Sequence, residues 1–156
     1  MDVVINASPL ILLSKTNRLC LVNKLFDTVY IPTAVLKEIQ TDKKQDAELY
    51  LTKITFKPLE VSNRIAVAGF LGRLHLGEVE VIVGAIENSI QTVILDDNTA
   101  RNKAKQLGLD VVGTLGILLE ANRVGLIADM EQEVANLISA GMYLSDKVIQ
   151  QIFTQG

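Results

Sequence analysis

Thr92-Val93-Ile94-Leu95-Asp96-Asp97-Asn98-Thr99 is the stretch on which the fold turns. Apolar and β-branched residues running straight into two aspartates read as a short strand, buried on both faces, with acid at its carboxyl end. Asp97 or Asn98 then caps a helix over residues 99–107, which Gly108 closes. Downstream, residues 110–112 form another strand, and Thr114 caps an apolar helix reaching residue 124, closed by Gly125. Upstream, helices are predicted over 77–88 and 63–71, and an extended stretch over 54–61 contains Pro58, which favours an irregular or edge position. A charged helix over 44–51 precedes it. Residues 27–31 read as a strand stopped by Pro32, and Thr33 caps a helix through residue 39 or 40.

At the start, Val3-Val4-Ile5 is a strand ending at Asn6, with Ser8 as N-cap and Pro9 opening a helix over 10–16. A second helix covers 18–25, and the tail makes two more, over 129–138 and 145–153, separated at Gly141. Strands alternating with helices specify an α/β fold, a parallel sheet flanked by helices. No repeat or linker interrupts it, so residues 1–156 are expected to form a single domain.

Composition narrows the chemistry. The chain has 156 residues, 49% hydrophobic and 21% charged, which suits a packed core rather than disorder. No apolar run approaches the roughly 18 residues of a membrane span. The N-terminal run has no basic leader or cleavage site, from which a cytoplasmic chain is expected. One cysteine, Cys20, excludes an internal disulfide, and one histidine, His75, excludes multi-histidine metal sites. The net charge of −3 gives no broad pull toward nucleic acid. An aromatic share of 4% offers no evident stacking platform for RNA bases. Polar chemistry must come mainly from carboxylates.

Ligands of open α/β sheets bind outside the carboxyl ends of the strands. Two predicted strands end in oxygen donors, Ile5 into Asn6 and Leu95 into Asp96-Asp97, while Glu38 and Glu78 lie on helices next to strand ends. Two carboxylates about 5 Å apart repel by roughly 3 kcal/mol at an effective dielectric of about 20. Such a cluster needs a cation, and oxygen-only ligation favours Mg²⁺ or Mn²⁺ over zinc. Simpler uses compete. Asp97 can cap a helix or pair with Arg101, Glu78 can complement a helix dipole, and Glu38 alone reads as solvated. Glu80, Glu87 and Lys43-Lys44 read as solvated faces, His75 as a structural hydrogen-bonder, and Cys20 as buried.

Val4-Ile5-Asn6-Ala7-Ser8-Pro9-Leu10-Ile11 and Val29-Tyr30-Ile31-Pro32, continued by Val35-Leu36-Lys37-Glu38-Ile39, resemble the front half of a PIN domain. Leu74-His75-Leu76-Gly77-Glu78-Val79-Glu80 is similar to an element of its DUF3368 subfamily, related to VapC-type toxin ribonucleases. Leu95-Asp96-Asp97 with Ala100-Arg101, Gly108-Leu109, Gly113-Thr114-Leu115-Gly116 and the ending Gly141-Met142-Tyr143-Leu144-Ser145-Asp146 fit the back half. The resemblance implies a three-layer PIN-like fold and a metal-dependent endoribonuclease acting on single-stranded RNA, as the toxin of a toxin–antitoxin pair. It implies a small antitoxin partner and a homodimer, which the mean hydropathy of +0.31 also favours. Carried over, Glu38, Glu78 and Asp96 are catalytic. Asn6, Glu38, Glu78, Asp96 and Asp97 hold Mg²⁺ or Mn²⁺, and Ser8 supports the loop. Most active PIN nucleases place Asp where this chain has Asn6, and an amide brings neither charge nor a base. The alternative is therefore a PIN-like nucleic-acid-binding or assembly module with impaired cleavage.

Overall fold

The computed structural model describes residues 1–41 and 50–154. Five strands, β1 (Val3–Ile5), β2 (Val29–Pro32), β3 (Lys57–Leu59), β4 (Thr92–Ile94) and β5 (Asp110–Val112), form one sheet in the order β3-β2-β1-β4-β5. Every pairing is parallel. The chain moves outward from β1 through β2 to β3, then returns to lay β4 against the other side of β1. The strand order thus reverses between β1 and β4, the crevice where open α/β sheets bind ligands.

The helices among the described residues are α1 (Ala7–Lys15), α2 (Cys20–Leu25), α3 (Thr33–Thr41), α4 (Arg64–Phe70) and α5 (Leu76–Glu87), followed by α6 (Asn98–Gln106), α7 (Thr114–Arg123), α8 (Met130–Ser139) and α9 (Asp146–Thr154). They flank the sheet in the α/β arrangement read from the sequence. None is long and apolar enough to cross a membrane. All three residues of β1 and of β4 are buried, as a parallel sheet covered by helices requires. Helix α5 is buried along residues 77–85 because it packs on β1, β2 and β4 while α3 and α4 pack on it. The predicted edge position of Pro58 holds, since β3 is the outermost strand on its side.

Several local expectations change. Asn6, with φ −87° and ψ 170°, occupies the N-cap position of α1, so the helix begins two residues before Pro9. Proline lacks an N–H, and first-turn N–H groups have no intrahelical partner, so it is tolerated inside that turn as well as at its start. Ser8 is consequently not a cap. Gly113, not Thr114, holds the N-cap position of α7, and Thr33 is the first residue of α3, donating its hydroxyl to the Leu59 carbonyl at 3.4 Å. Pro32 ends β2 inside the sheet rather than before it. Cys20 is exposed at the start of α2, not buried. Glu80 is buried rather than solvated, held by Arg64 and by the backbone N–H of Ala34. Asp97 and Arg101 form no ion pair: Arg101 Nη1 donates to the Leu95 carbonyl at 2.9 Å. The charged helix predicted over 44–51 falls mostly outside the described residues.

Candidate active site

Each predicted site residue owes its position to a strand end or a helix start. Asn6 follows β1 directly, and its backbone N–H donates to the Ile94 carbonyl at 3.1 Å, fastening it beside the end of β4. Its side chain is 7% exposed and makes no capping bond, and its Oδ1 has no hydrogen-bond partner. A buried acceptor left unpaired costs about 1–3 kcal/mol unless something else satisfies it.

Asp96 is held by the start of α7. The Thr114 N–H donates to Asp96 Oδ1 at 2.8 Å and the Thr114 hydroxyl to Oδ2 at 2.6 Å, with the Ser8 hydroxyl a further donor to Oδ2 at 3.4 Å. Gly113 makes this approach possible, because a Cβ there would stand 2.8 Å from Arg101 Nη1 and 3.2 Å from Asp96 Oδ1. Two residues expected to cap helices therefore turn their hydroxyls to one carboxylate. Asp97 does cap α6, accepting from Ala100 N at 3.0 Å through one oxygen.

Glu78 is the third residue of α5 and is buried. Burial pushes its carboxyl pKa up, and the charges of Asp97 and Glu38 add to that; the nearby His75 and a hydrogen bond from the His75 backbone oppose it. His75 itself is exposed at the N-cap position of α5, without a side-chain capping bond. Glu38 reaches the same place from α3. A Cβ on Gly77 would meet Glu38 Oε2 at 2.9 Å and Asn6 Oδ1 at 3.4 Å, so glycine there lets both side chains close over the start of α5.

Asn6, Ser8, Glu38, Glu78, Asp96 and Asp97 line one cleft of about 510 Å³, with Met142 and Tyr143 from the segment after α8 on its rim. Among the described residues no lysine, arginine or histidine lines it. Four carboxylates, an orphaned amide oxygen and no cation suit a hard divalent ion with oxygen ligands. Among the described residues no three acidic, histidine or cysteine side chains are drawn together tightly enough to form a ligand shell by themselves. Uncompensated carboxylates repel one another, which opposes such closure. From the sequence Thr114 was expected only to cap a helix, and Tyr143 was given no role at the site. Thr114 was findable, since a hydroxyl one residue past the glycine that ends β5 sits where ligands gather; nothing local marks Tyr143.

The profile of the DUF3368 family, described as a PIN domain, matches residues 2–155. This chain is a DUF3368-family PIN domain. Among solved structures, a PilT N-terminus domain protein, SSO1118, from the hyperthermophilic archaeon Sulfolobus solfataricus P2 is similar at a TM-score of 0.50 and 23% identity. The match covers 78% of this PIN domain and 93% of that chain, a likeness of fold. No curated protein matches the sequence. The family suits a nuclease-type fold.

Proposed function

We propose that this PIN domain is a metal-dependent endoribonuclease of single-stranded RNA and the toxin component of a toxin–antitoxin pair. The observation that carries the reading is the acidic cleft at the reversal of strand order, lined by no basic side chain among the described residues and by the unpartnered Asn6 oxygen. Glu38, Glu78 and Asp96 are the catalytic set, and with Asn6 and Asp97 they would hold Mg²⁺ or Mn²⁺. Such an ion, when bound, neutralises phosphate charge and acidifies water. Thr114 and Ser8 orient Asp96, so that its carboxylate is presented without a rotameric search. Asn6 offers an oxygen to a cation but can neither take nor give a proton. Glu78, whose burial resists ionisation, is the carboxylate that a bound cation would most strongly drive to its charged form.

The chain is read as a single domain spanning residues 1–156, working in the cytoplasm as a homodimer and silenced by a small antitoxin. Ile65, 87% exposed, and an α9 without a buried residue support a partnered surface. A second reading, a nucleic-acid-binding or assembly module without cleavage, is favoured by the uncharged Asn6 and the open spacing of the acids. Cleavage of single-stranded RNA in Mn²⁺ or Mg²⁺, absent in EDTA and in Asp96→Asn, is the expected result. A folded protein that binds RNA without cutting it would favour the second reading.

A further inference from the structure

The segment between α8 and α9 borders the acidic cleft without contributing an acid to it. Its backbone is pinned at both ends. Gly141 N–H donates to Ile138 O at 3.1 Å and Met142 N–H to Leu137 O at 3.0 Å, closing α8, while Ser145 Oγ accepts from Val148 N at 3.2 Å to open α9. Met142 packs against the core. Tyr143 between these anchors is 88% exposed, the most exposed of the large apolar side chains among the described residues, and makes no hydrogen bond with them. It contributes little to the fold where it stands.

Tyr143 lines two clefts at once. One is the acidic cleft; the other, of about 540 Å³, shares Asp96, Met142 and Tyr143 with it and opens between β5, α7 and α9. The walls of this second cleft are apolar, with Val112, Leu115, Leu119 and Val148, but Asn98 and Arg101 also line it. Arg101 commits Nη1 to the Leu95 carbonyl, which leaves its other N–H donors for a ligand. An apolar cleft lined also by an amide, a guanidinium and an exposed phenol ring suits a nucleobase, which has two π-faces and a polar edge.

We propose that Tyr143 is a stacking platform for one base of a single-stranded RNA, and that the cleft behind it receives that base while the adjoining phosphodiester lies over the acidic cleft. The inference rests on the RNA reading above and gives it a binding site for a base. The aromatic share of the sequence is low, but one ring on a segment hydrogen-bonded at both ends suffices where it borders the acidic cleft.

The test uses labelled single-stranded RNA in two assays: anisotropy in an Asp96→Asn background that arrests cleavage, and steady-state cleavage in Mn²⁺. Tyr143→Ala should weaken RNA binding about tenfold, or about 1.4 kcal/mol, and raise KM similarly with kcat little changed. Tyr143→Phe should restore both, since stacking needs the ring and not the hydroxyl. Scanning single abasic nucleotides along the RNA should find one position that costs the same factor in the parent and nothing more in Tyr143→Ala. Unaltered binding by Tyr143→Ala, or a Tyr143→Phe as weak as the alanine, would overturn the platform. Metal-dependent cleavage indifferent to Tyr143 would leave the nuclease reading standing without the platform. Tyr143-dependent binding without cleavage would do the reverse.

Discussion

Glu78 and Asn6 carry opposite problems into one cleft: a carboxylate that burial discourages from ionising, and an acceptor with nothing to accept. For Glu78, the folded pKa lies above that of the unfolded chain. Between the two values the native state holds more protons, so stability falls as pH rises through that window and stays lowered above it. Glu78→Gln should therefore melt higher than the parent at neutral pH in EDTA, with the gap closing as pH falls toward about 4, and it should abolish cleavage. Melting curves from about pH 4 to about pH 8 check the sign, and a variant less stable at neutral pH would contradict it. Asn6→Asp should act in the other direction. A further carboxylate lowers the melting temperature in EDTA, tightens Mn²⁺ binding and raises cleavage. Equal Mn²⁺-induced shifts in the two proteins would remove Asn6 from the metal.

Among the elements, α5 does most to assemble the site, because its first turn carries Glu78 and its second holds Glu80. Glu80 accepts from Ala34 N at 2.9 Å and from Arg64 Nη1 at 2.8 Å, tying α5 to the start of α3 and to α4. Since α3 brings Glu38 to the cleft, this buried carboxylate governs where Glu38 arrives. Glu80→Ala would strand the Ala34 N–H and free Arg64, which is half-exposed and can turn to water. The expected loss is about 2 kcal/mol in urea unfolding, together with reduced cleavage. A loss below about 0.5 kcal/mol, the range of ordinary surface changes, would return Glu80 to the solvated face that its sequence suggests. Glu133 of α8 is held in the same manner by two hydrogen bonds from Arg18 Nε, at 3.0 and 3.1 Å, which steady the helix that precedes Tyr143.

For the whole molecule, the exposed apolar side chains and the uncovered α9 lead to a definite expectation of pairing. Light scattering at tens of micromolar should give the mass of a dimer; a monomer there would leave these residues to a different partner or to none. At this scale the sequence was most legible. Strands buried on both faces must be continuously apolar, so Val3-Val4-Ile5 and Thr92-Val93-Ile94 announced themselves, and Pro58 announced an edge. The alternation of strands and helices then required a parallel sheet, and acids placed just past apolar strands pointed to its carboxyl edge. Asn6, Asp96 and Asp97 were thus nameable before any coordinates, Glu38 and Glu78 only with the family resemblance, and the fold does gather all five along one cleft. The roles of hydroxyls and of buried charges were not legible. Ser8 and Thr114 carry the local signature of caps, yet they serve Asp96 because each helix starts earlier than its cap signal and a strand end from elsewhere arrives beside it. Glu80 looks like surface until α3 and α4 close over it. Local pattern records which face of an element is apolar and where a helix can begin; which distant donor meets a given oxygen depends on how the elements pack, and only the tertiary structure decides that.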